Sequence, residues 1–168
     1  MTQTANQSRQ RIREVGPAEL KAVQEFLLAN KLKSSIQPGP GSLYYYMEAD
    51  GEIIGTIGAE LEKPYALIRA AGVAAAYRKQ GIGRQLFQQL IAKLEEMGIV
   101  HFYLFSRQAG EFWSQLGFKK CTVEEVIRVL SRTPQVSEFL ADGSIWTDVA
   151  WYQPSVRIGK GNEEESRN

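Results

Sequence analysis

The feature that most constrains the fold is a glycine-containing loop, Arg78–Arg84, between an apolar run and a long amphipathic segment. The apolar run, Tyr65–Val73, has the length of a buried strand, and from Ile82 to Met97 apolar residues recur at helical spacing. The order strand, loop, helix is therefore predicted. Backbone N–H groups at the start of a helix have no partner within it, and the helix dipole adds partial positive charge. Such a loop can bind an anion.

The residues of this loop suit a pyrophosphate. Gly81 and Gly83 carry no Cβ, so the backbone can approach a phosphate closely, and Arg78, Lys79 and Arg84 add positive charge. Two familiar phosphate loops are excluded, because the chain has neither G-x-x-x-x-G-K-[ST] nor G-x-G-x-x-G. The remaining pattern, R-x-x-G-x-G, is weak by itself, since a basic helix start with glycines would also show it.

A second strand is predicted after the helix. Ile99 to Phe105 is nearly all apolar, as a parallel strand covered on both faces would be, and Gly98 is placed to end the helix. Two strands joined by a crossover helix of this length form a right-handed βαβ unit. The sequence therefore predicts an α/β fold.

The run from Gly72 to Leu86 resembles the acetyl-CoA-binding motif of GNAT-family N-acetyltransferases. The segment Ala109–Phe118, which ends in a Gly-Phe pair, resembles the helix that follows in that family. The resemblance is strongest over residues 50–120. It implies an α/β (α+β) fold with a GNAT-like mixed, twisted central sheet, helices on both faces and a splayed parallel strand pair.

The resemblance also implies a function. The expected reaction moves an acetyl group from acetyl-CoA, the co-substrate, to the amine of a small molecule, with an amino acid among the candidates, by direct attack in a ternary complex. The residues expected to bind acetyl-CoA are the end of the first strand, the glycine loop and a serine after the second strand: Ala71, Gly72, Val73, Arg78, Lys79, Gln80, Gly81, Ile82, Gly83, Arg84 and Ser106.

Trp113 departs from the family pattern. Many members carry Tyr four residues before the Gly of Gly-Phe, as a proposed general acid, and an indole N–H does not give up a proton near neutral pH. Either the thiolate leaves unassisted, another group serves, or the chain is a non-catalytic CoA-binding regulatory or assembly module. Trp113 together with Arg69 resembles the amino-acid N-acetyltransferase branch, although Val126-Ile127 stands where that branch has Leu-Pro. Both are candidate substrate-binding residues.

Two carboxylates are candidate general bases. Glu60 and Glu62 alternate with Leu61 on the strand before the cofactor strand and so share one face, which is also the pattern of an exposed strand end. Arg69 lies among apolar residues and needs an anionic partner, which is either one of these glutamates or a substrate carboxylate. A protein or peptide N-terminal acetyltransferase is a third functional candidate.

Composition excludes several classes. The net charge of +1 at pH 7 gives no global field for nucleic acid or an anionic membrane, and the longest apolar runs are too short to span a bilayer. One histidine, His101, and one cysteine, Cys121, make no zinc site, and structural roles are expected for both. The N-terminus lacks the apolar region of a secretory signal, so a cytoplasmic monomer or homodimer is expected.

A single domain is predicted over residues 11–156, between flexible tails at 1–10 and 157–168. Within it, local signals predict a first strand over Arg11–Val15, a helix from Pro17 and a loop over Lys31–Ser42. They also predict a hairpin turn at Asp50-Gly51, a further helix from Pro134 to Ala141 and a last strand over Trp146–Tyr152. Gly55 and Gly58 are expected to weaken the second hairpin arm or to mark a bulge.

Overall fold

The fold is a mixed α/β one with a seven-stranded sheet, in a computed structural model that describes residues 9–156. The strands are β1 (Gln10–Glu14), β2 (Ser42–Ala49), β3 (Glu52–Glu62), β4 (Tyr65–Val73), β5 (His101–Phe105), β6 (Lys119–Cys121) and β7 (Ala150–Pro154), in the order β1-β2-β3-β4-β5-β7-β6. Of the predicted tails, 1–10 and 157–168, residues 1–8 and 157–168 lie outside the described residues, whereas Gln10 already belongs to β1.

Five helices connect the strands within the described part of the chain. They are α1 (Leu20–Ala29), α2 (Ile82–Glu96), α3 (Gly110–Gln115), α4 (Val123–Leu130) and α5 (Pro134–Asp142), with short 3-10 turns at Ala75–Tyr77 and Ser144–Thr147. The chain divides into two compact units. The first runs to Ala59 and includes Arg69–Ala92, and the second comprises Glu60–Ile68 and the residues from Lys93 onward.

The first unit is built on an antiparallel ladder of β1 and β2, whose register runs from Gln10 opposite Ala49 to Glu14 opposite Tyr45. Its core joins α1 to Tyr44 and Tyr46 of β2, and Tyr45 between them is also buried. Gly58 serves this core: a Cβ there would lie 2.0 Å from Cδ1 of Tyr44, so only glycine leaves room for the ring.

The second unit contains the predicted parallel pair. Tyr65–Ile68 of β4 pairs with His101–Leu104 of β5 in parallel, while β7 pairs with β5 and with β6 in antiparallel fashion. Buried apolar residues of α4, α5 and the strands form one core cluster here: Leu67, Tyr103, Val126, Leu130, Val136, Phe139, Ile145 and Ala150. The predicted mixed sheet with a parallel β4–β5 pair is confirmed.

Two local predictions were wrong. The helix expected from Pro17 begins at Leu20, because a turn closes before it: the N–H of Glu19 donates to the carbonyl of Gly16 at 3.2 Å, and the N–H of Gly16 donates to the Glu19 carboxylate at 3.0 Å. The last strand begins at Ala150, since Trp146 lies in a 3-10 turn with 57% of its surface exposed. Strand β3 extends from Glu52 to Glu62, and the expected weakening or bulge at Gly55 and Gly58 stays a prediction.

Helix α4 was not predicted. Its N-cap is Thr122, whose Oγ1 accepts a hydrogen bond from the N–H of Glu125 at 3.2 Å. The pattern Thr122-x-x-Glu125 is the sequence signal that could have revealed this start. Helix α5 was predicted at nearly the observed bounds and ends at Gly143, whose φ of 80° is left-handed.

Candidate functional site

The C-terminal part of β4 contains an unusual backbone conformation. Ala70 has a φ of 55°, a left-handed value that only glycine adopts easily, in the middle of the strand. The hydroxyl of Thr56, which is 2% exposed on β3, donates to the carbonyl of Ala70 at 2.7 Å. Beyond this point Ala71, Gly72 and Val73 are partly exposed, and the N–H of Ala74 donates to the carbonyl of Ile54 at 2.8 Å.

The glycine loop follows with two more left-handed residues. Arg78 is extended, with its Nε donating to the carbonyl of Val73 at 3.1 Å, and Lys79 and Gly81 have φ values of 65° and 80°. A Cβ at Gly81 would meet no atom within 4 Å, so this position requires glycine for its backbone angle and not for space. The side chains of Arg78, Lys79 and Gln80 are exposed.

Helix α2 begins at Ile82, within the loop sequence Arg78–Arg84, and the N–H of Gln85 donates to the carbonyl of Gly81 at 3.0 Å. Its first turn rests on β3, because Ile82 and Leu86 are 2% and 1% exposed and a Cβ at Gly55 would lie 2.9 Å from Leu86 Cδ1. Gly55 therefore lets the helix approach the strand closely. This close approach is the physical reason for glycine at position 55, whose role the sequence alone left ambiguous.

The N-terminal turn of α2 is electropositive. It contains no acidic residue, Arg84 is exposed on it, and its first N–H groups are those that an α-helix leaves without an internal partner. Together with the exposed Arg78 and Lys79, this end of the helix has the chemistry of a polyphosphate site. Among residues 9–156, no group of three or more His, Cys, Asp or Glu is placed to hold a metal ion.

Arg69 fixes the loop that precedes β2. It is 6% exposed, and its Nη1 donates to the carbonyl of Ser35 at 3.2 Å. Leu32 of the same loop lies over Gly72, where a Cβ would come within 2.4 Å of Leu32 Cδ1. The predicted loop Lys31–Ser42 is thus packed on the end of β4.

The two predicted bases have different surroundings in the second unit. Glu60 is 3% exposed, and its Oε1 accepts a hydrogen bond from the N–H of Gln135 at 2.8 Å, in the first turn of α5. The exposed strand end considered for Glu60 is therefore not observed. Glu62 keeps 39% of its side chain exposed, with Oε1 4.0 Å from Nη1 of Arg132.

Ser106 and Trp113 also lie in the second unit. The Oγ of Ser106 accepts from the N–H of Ala109 at 3.1 Å, and its carbonyl accepts from Nε1 of Trp151 at 2.9 Å. Trp113 is 5% exposed and packs edge-on against Phe118, with ring centroids 5.5 Å apart. Ser106 is thus held at the end of β5, and Trp113 is part of a packed aromatic group.

His101 and Cys121 have surroundings typical of structural residues. The Nδ1 of His101 lies 2.7 Å from the hydroxyl of Tyr152, and its ring stacks on Tyr65 at 5.1 Å. Burial, with a further contribution from Glu125, raises the pKa of the Cys121 thiol to about 11. Burial also raises the pKa of Tyr103, whose hydroxyl donates to Glu125 at 3.1 Å. The Cys121 thiol and the Tyr103 hydroxyl therefore stay neutral near pH 7.

The structure brings some predicted site residues together and leaves others in the second unit. Arg69, the strand end Ala71–Val73 and the loop Arg78–Arg84 belong to the first unit, and the remaining predicted residues to the second: Glu60, Glu62, Ser106 and Trp113. Sequence reasoning missed Thr56 and Ala70. No residue pattern signals their contact, because alanine has no preference for a left-handed backbone.

Comparison with known proteins shows the family. The model of the Acetyltransferase (GNAT) family matches residues 10–118. Among curated proteins, none matches the sequence. Within the described residues, no helix is long and apolar enough to cross a membrane.

Solved structures share the fold at low sequence identity. A GNAT-family acetyltransferase from Staphylococcus aureus Mu50 is 18% identical with a TM-score of 0.68, covering 86% of this chain and 98% of that one. N-acetylglutamate synthase from Neisseria gonorrhoeae, complexed with coenzyme A and N-acetyl-glutamate, is 16% identical with a TM-score of 0.67, over 86% of this chain but 35% of that one. The ribosomal-protein-S18-alanine N-acetyltransferase from Escherichia coli is 21% identical with a TM-score of 0.56, covering 67% of this chain and 79% of that one.

Proposed function

The chain belongs to the acetyltransferase (GNAT) family, and on that basis we propose that it transfers the acetyl group of acetyl-CoA to the amine of a small molecule. The observation that carries the proposal is the start of α2. There, a left-handed Gly81, three exposed cationic side chains and the N–H groups of a first turn without acidic residues occur together. This combination suits the pyrophosphate of coenzyme A, which would be held by Gln80–Arg84.

The partly exposed end of β4 suits the rest of the cofactor. The backbone groups of Ala71, Gly72 and Val73 would pair with the pantetheine arm as an added strand would, and Ser106 is the further residue that we assign to cofactor binding. When bound, acetyl-CoA supplies the activated acetyl thioester. The task of the chain is to hold it beside a neutral amine and to exclude competing geometries.

The attacking amine must lose a proton, and Glu60 and Glu62 are the proposed bases. Of the two, Glu62 retains access to solvent, whereas Glu60 is buried and already accepts from Gln135. We therefore favour Glu62, acting through a water. Trp113 cannot act as an acid near neutral pH, so we propose that the thiolate leaves without a proton from this residue.

For the acceptor we propose an amino acid or a similar zwitterion, recognised through Arg69. The planar fork of a guanidinium matches a carboxylate bidentately, which is the chemical basis of this assignment. Two structures that share the fold represent the two kinds of acceptor, an amino acid and a protein N-terminus. One was crystallised with N-acetyl-glutamate, and the other is named for the alanine of a ribosomal protein. The second corresponds to an N-terminal acetyltransferase of proteins.

The test is release of free coenzyme A thiol from acetyl-CoA in the presence of a panel of amines. The panel contains amino acids, the same amines without a carboxylate, and short peptides with free N-termini. We expect amino acids to be the best acceptors. Preference for peptides would favour the protein acetyltransferase, and acetyl-CoA binding without thiol release from any amine would favour the non-catalytic CoA-binding module.

A further inference from the structure

The left-handed conformation of Ala70 requires an explanation from its surroundings. Its φ of 55° interrupts a strand that is otherwise extended, and an alanine Cβ is disfavoured in this conformation. Such residues persist when neighbouring groups hold them in place, and they concentrate at ligand sites. In β4 the residue comes directly before Ala71–Val73, the segment to which the cofactor arm is assigned.

Thr56 is the neighbouring group that holds this conformation. Its hydroxyl donates to the carbonyl of Ala70 at 2.7 Å, a short and therefore well-formed bond, across 14 residues of sequence. Thr56 is 2% exposed, so its side chain is shielded from water. In a regular ladder, a β-strand carbonyl accepts from a backbone N–H. The carbonyl of Ala70 accepts from a side chain, so this bond depends on which residue stands at position 56.

Thr56 belongs to a short segment of β3 that lies against the end of β4 and the start of α2. The carbonyl of Ile54, two residues before Thr56, accepts from the N–H of Ala74 at 2.8 Å, and a Cβ at Gly55 would be 3.3 Å from the carbonyl of Gly72 and 2.9 Å from Leu86 Cδ1. Three consecutive residues therefore support the strand end on one side of the loop and the helix start on the other. Only Thr56 does so through a side-chain hydrogen bond.

We propose that Thr56 is a positioning residue for acetyl-CoA: its hydroxyl holds Ala70 in the left-handed conformation and thereby aims the backbone of Ala71–Val73 at the cofactor. The proposal rests on the proposed function, because it concerns the same cofactor. It adds a residue that does not touch the cofactor and acts through the backbone of β4.

In the simpler, alternative role of Thr56, its hydroxyl only satisfies the carbonyl of Ala70. That role predicts that removing the hydroxyl lowers stability. It also predicts that the effect on acetyl-CoA affinity does not depend on the residue at position 70. The positioning role predicts such a dependence. Glycine adopts a left-handed φ without strain, so Ala70→Gly lowers the need for the Thr56 hydrogen bond.

The experiment measures acetyl-CoA affinity by calorimetry, which needs no acceptor. We expect Thr56→Val, which keeps the shape and removes the donor, to bind about tenfold more weakly. Thr56→Ser, which keeps the hydroxyl, should bind within about twofold of the parent protein, as should Ala70→Gly. The double variant Thr56→Val with Ala70→Gly should recover most of the affinity lost in Thr56→Val. Thermal unfolding of each variant is recorded in parallel.

Several results would overturn the inference. Equal affinity in Thr56→Val and the parent protein would show that the hydroxyl does not position the cofactor segment. A weakened Thr56→Val whose affinity Ala70→Gly does not restore would assign the effect to something other than the left-handed residue. If Thr56→Val does not fold, the comparison is made between Thr56→Ala and Thr56→Ser with the same expectations. A parent protein that fails to bind acetyl-CoA would instead refute the proposed function.

Discussion

The carboxylate of Glu60 on β3 caps helix α5 by accepting the N–H of Gln135 at 2.8 Å, although 75 residues separate the two in sequence. The local candidate, Thr133, does not fill this role, because its Oγ1 donates to the carbonyl of Leu130 at 2.7 Å. A buried carboxylate at a helix N-terminus gains from both the N–H group and the helix dipole. Glu60 therefore has a structural task that is independent of catalysis.

Glu60→Gln should lower the free energy of unfolding by about 1–2 kcal/mol, because the amide loses the charge-assisted bond to Gln135. Urea denaturation measures the change. The matched control is Glu62→Gln, whose exposed contact with Arg132 at 4.0 Å should contribute less than about 0.5 kcal/mol. If Glu62 is the base, its variant should lose turnover while remaining stable; unchanged turnover in Glu62→Gln would remove that assignment.

Gly81→Val should weaken acetyl-CoA binding by about tenfold or more, which is about 1.4 kcal/mol. The reason is the φ of 80° at Gly81, since valine would pull the loop out of its conformation even though its side chain meets open space. Calorimetry measures the affinity. The control is Gly51→Val, because Gly51 has a φ of 81°, equally open surroundings and a place in the β2–β3 turn. Similar losses of affinity in both variants would count against a cofactor loop at Gly81.

Trp113→Phe should keep most of the turnover at saturating acetyl-CoA, because the indole N–H is not an acid near neutral pH. Its cost should be in stability, about 1–2 kcal/mol, since Trp113 is 5% exposed and packs against Phe118. Trp113→Tyr is expected to raise turnover modestly if a missing proton donor limits the rate. A loss of a hundredfold or more in a folded Trp113→Phe variant would show that the indole takes part in the reaction.

Arg69→Lys should raise the KM for the acceptor while leaving that for acetyl-CoA nearly unchanged, because an ammonium cannot reproduce a bidentate fork. Arg69→Met should cost about 2–4 kcal/mol in kcat/KM for a carboxylate-bearing acceptor. Steady-state kinetics with both substrates varied will measure this. An equal rise in the KM values for the acceptor and for acetyl-CoA would assign Arg69 solely to holding the loop at Ser35.

The single thiol of the chain should be slow to alkylate in the folded state. Burial raises the pKa of Cys121 from 9.0 to about 11, so at pH 8 the folded protein should contain about a hundredfold less thiolate than the unfolded chain. Because the folded pKa is the higher one, this neutral thiol favours folding below pH 9, and the contribution is lost as the pH rises toward 11. Iodoacetamide labelling with and without urea measures the difference; equal rates would show that the thiol is not protected.

The βαβ order from β4 through α2 to β5 could be predicted because its signals are long and periodic. The apolar run of β4 and the stripe of α2 repeat over enough residues to leave one interpretation, and the glycine loop between them adds chemistry. Helix α4 is harder, since it is short, has only Val126 and Leu130 fully buried, and contains several β-branched residues that favour strands.

Other features depend on contacts between distant residues and leave no local trace. The carbonyl of the left-handed Ala70 accepts from Thr56, and the N–H of Gln135 at the start of α5 donates to Glu60. The glycines of β3 were ambiguous for the same reason, because their cause is the ring of Tyr44 at Gly58 and the first turn of α2 at Gly55. Sequence patterns report periodicity and local turn chemistry, whereas these positions are determined by packing across the fold.

The division of the chain into two units has a consequence for its biosynthesis. The hairpin tip Glu60–Ile68 belongs to the second unit, yet the ribosome must make the rest of the first unit, up to Ala92, before the other residues of the second unit emerge. Gln135, whose N–H donates to Glu60, is synthesised 75 residues after it. During translation Leu67 is therefore made well before Val126, Leu130 and Val136, the residues of α4 and α5 that share its core cluster.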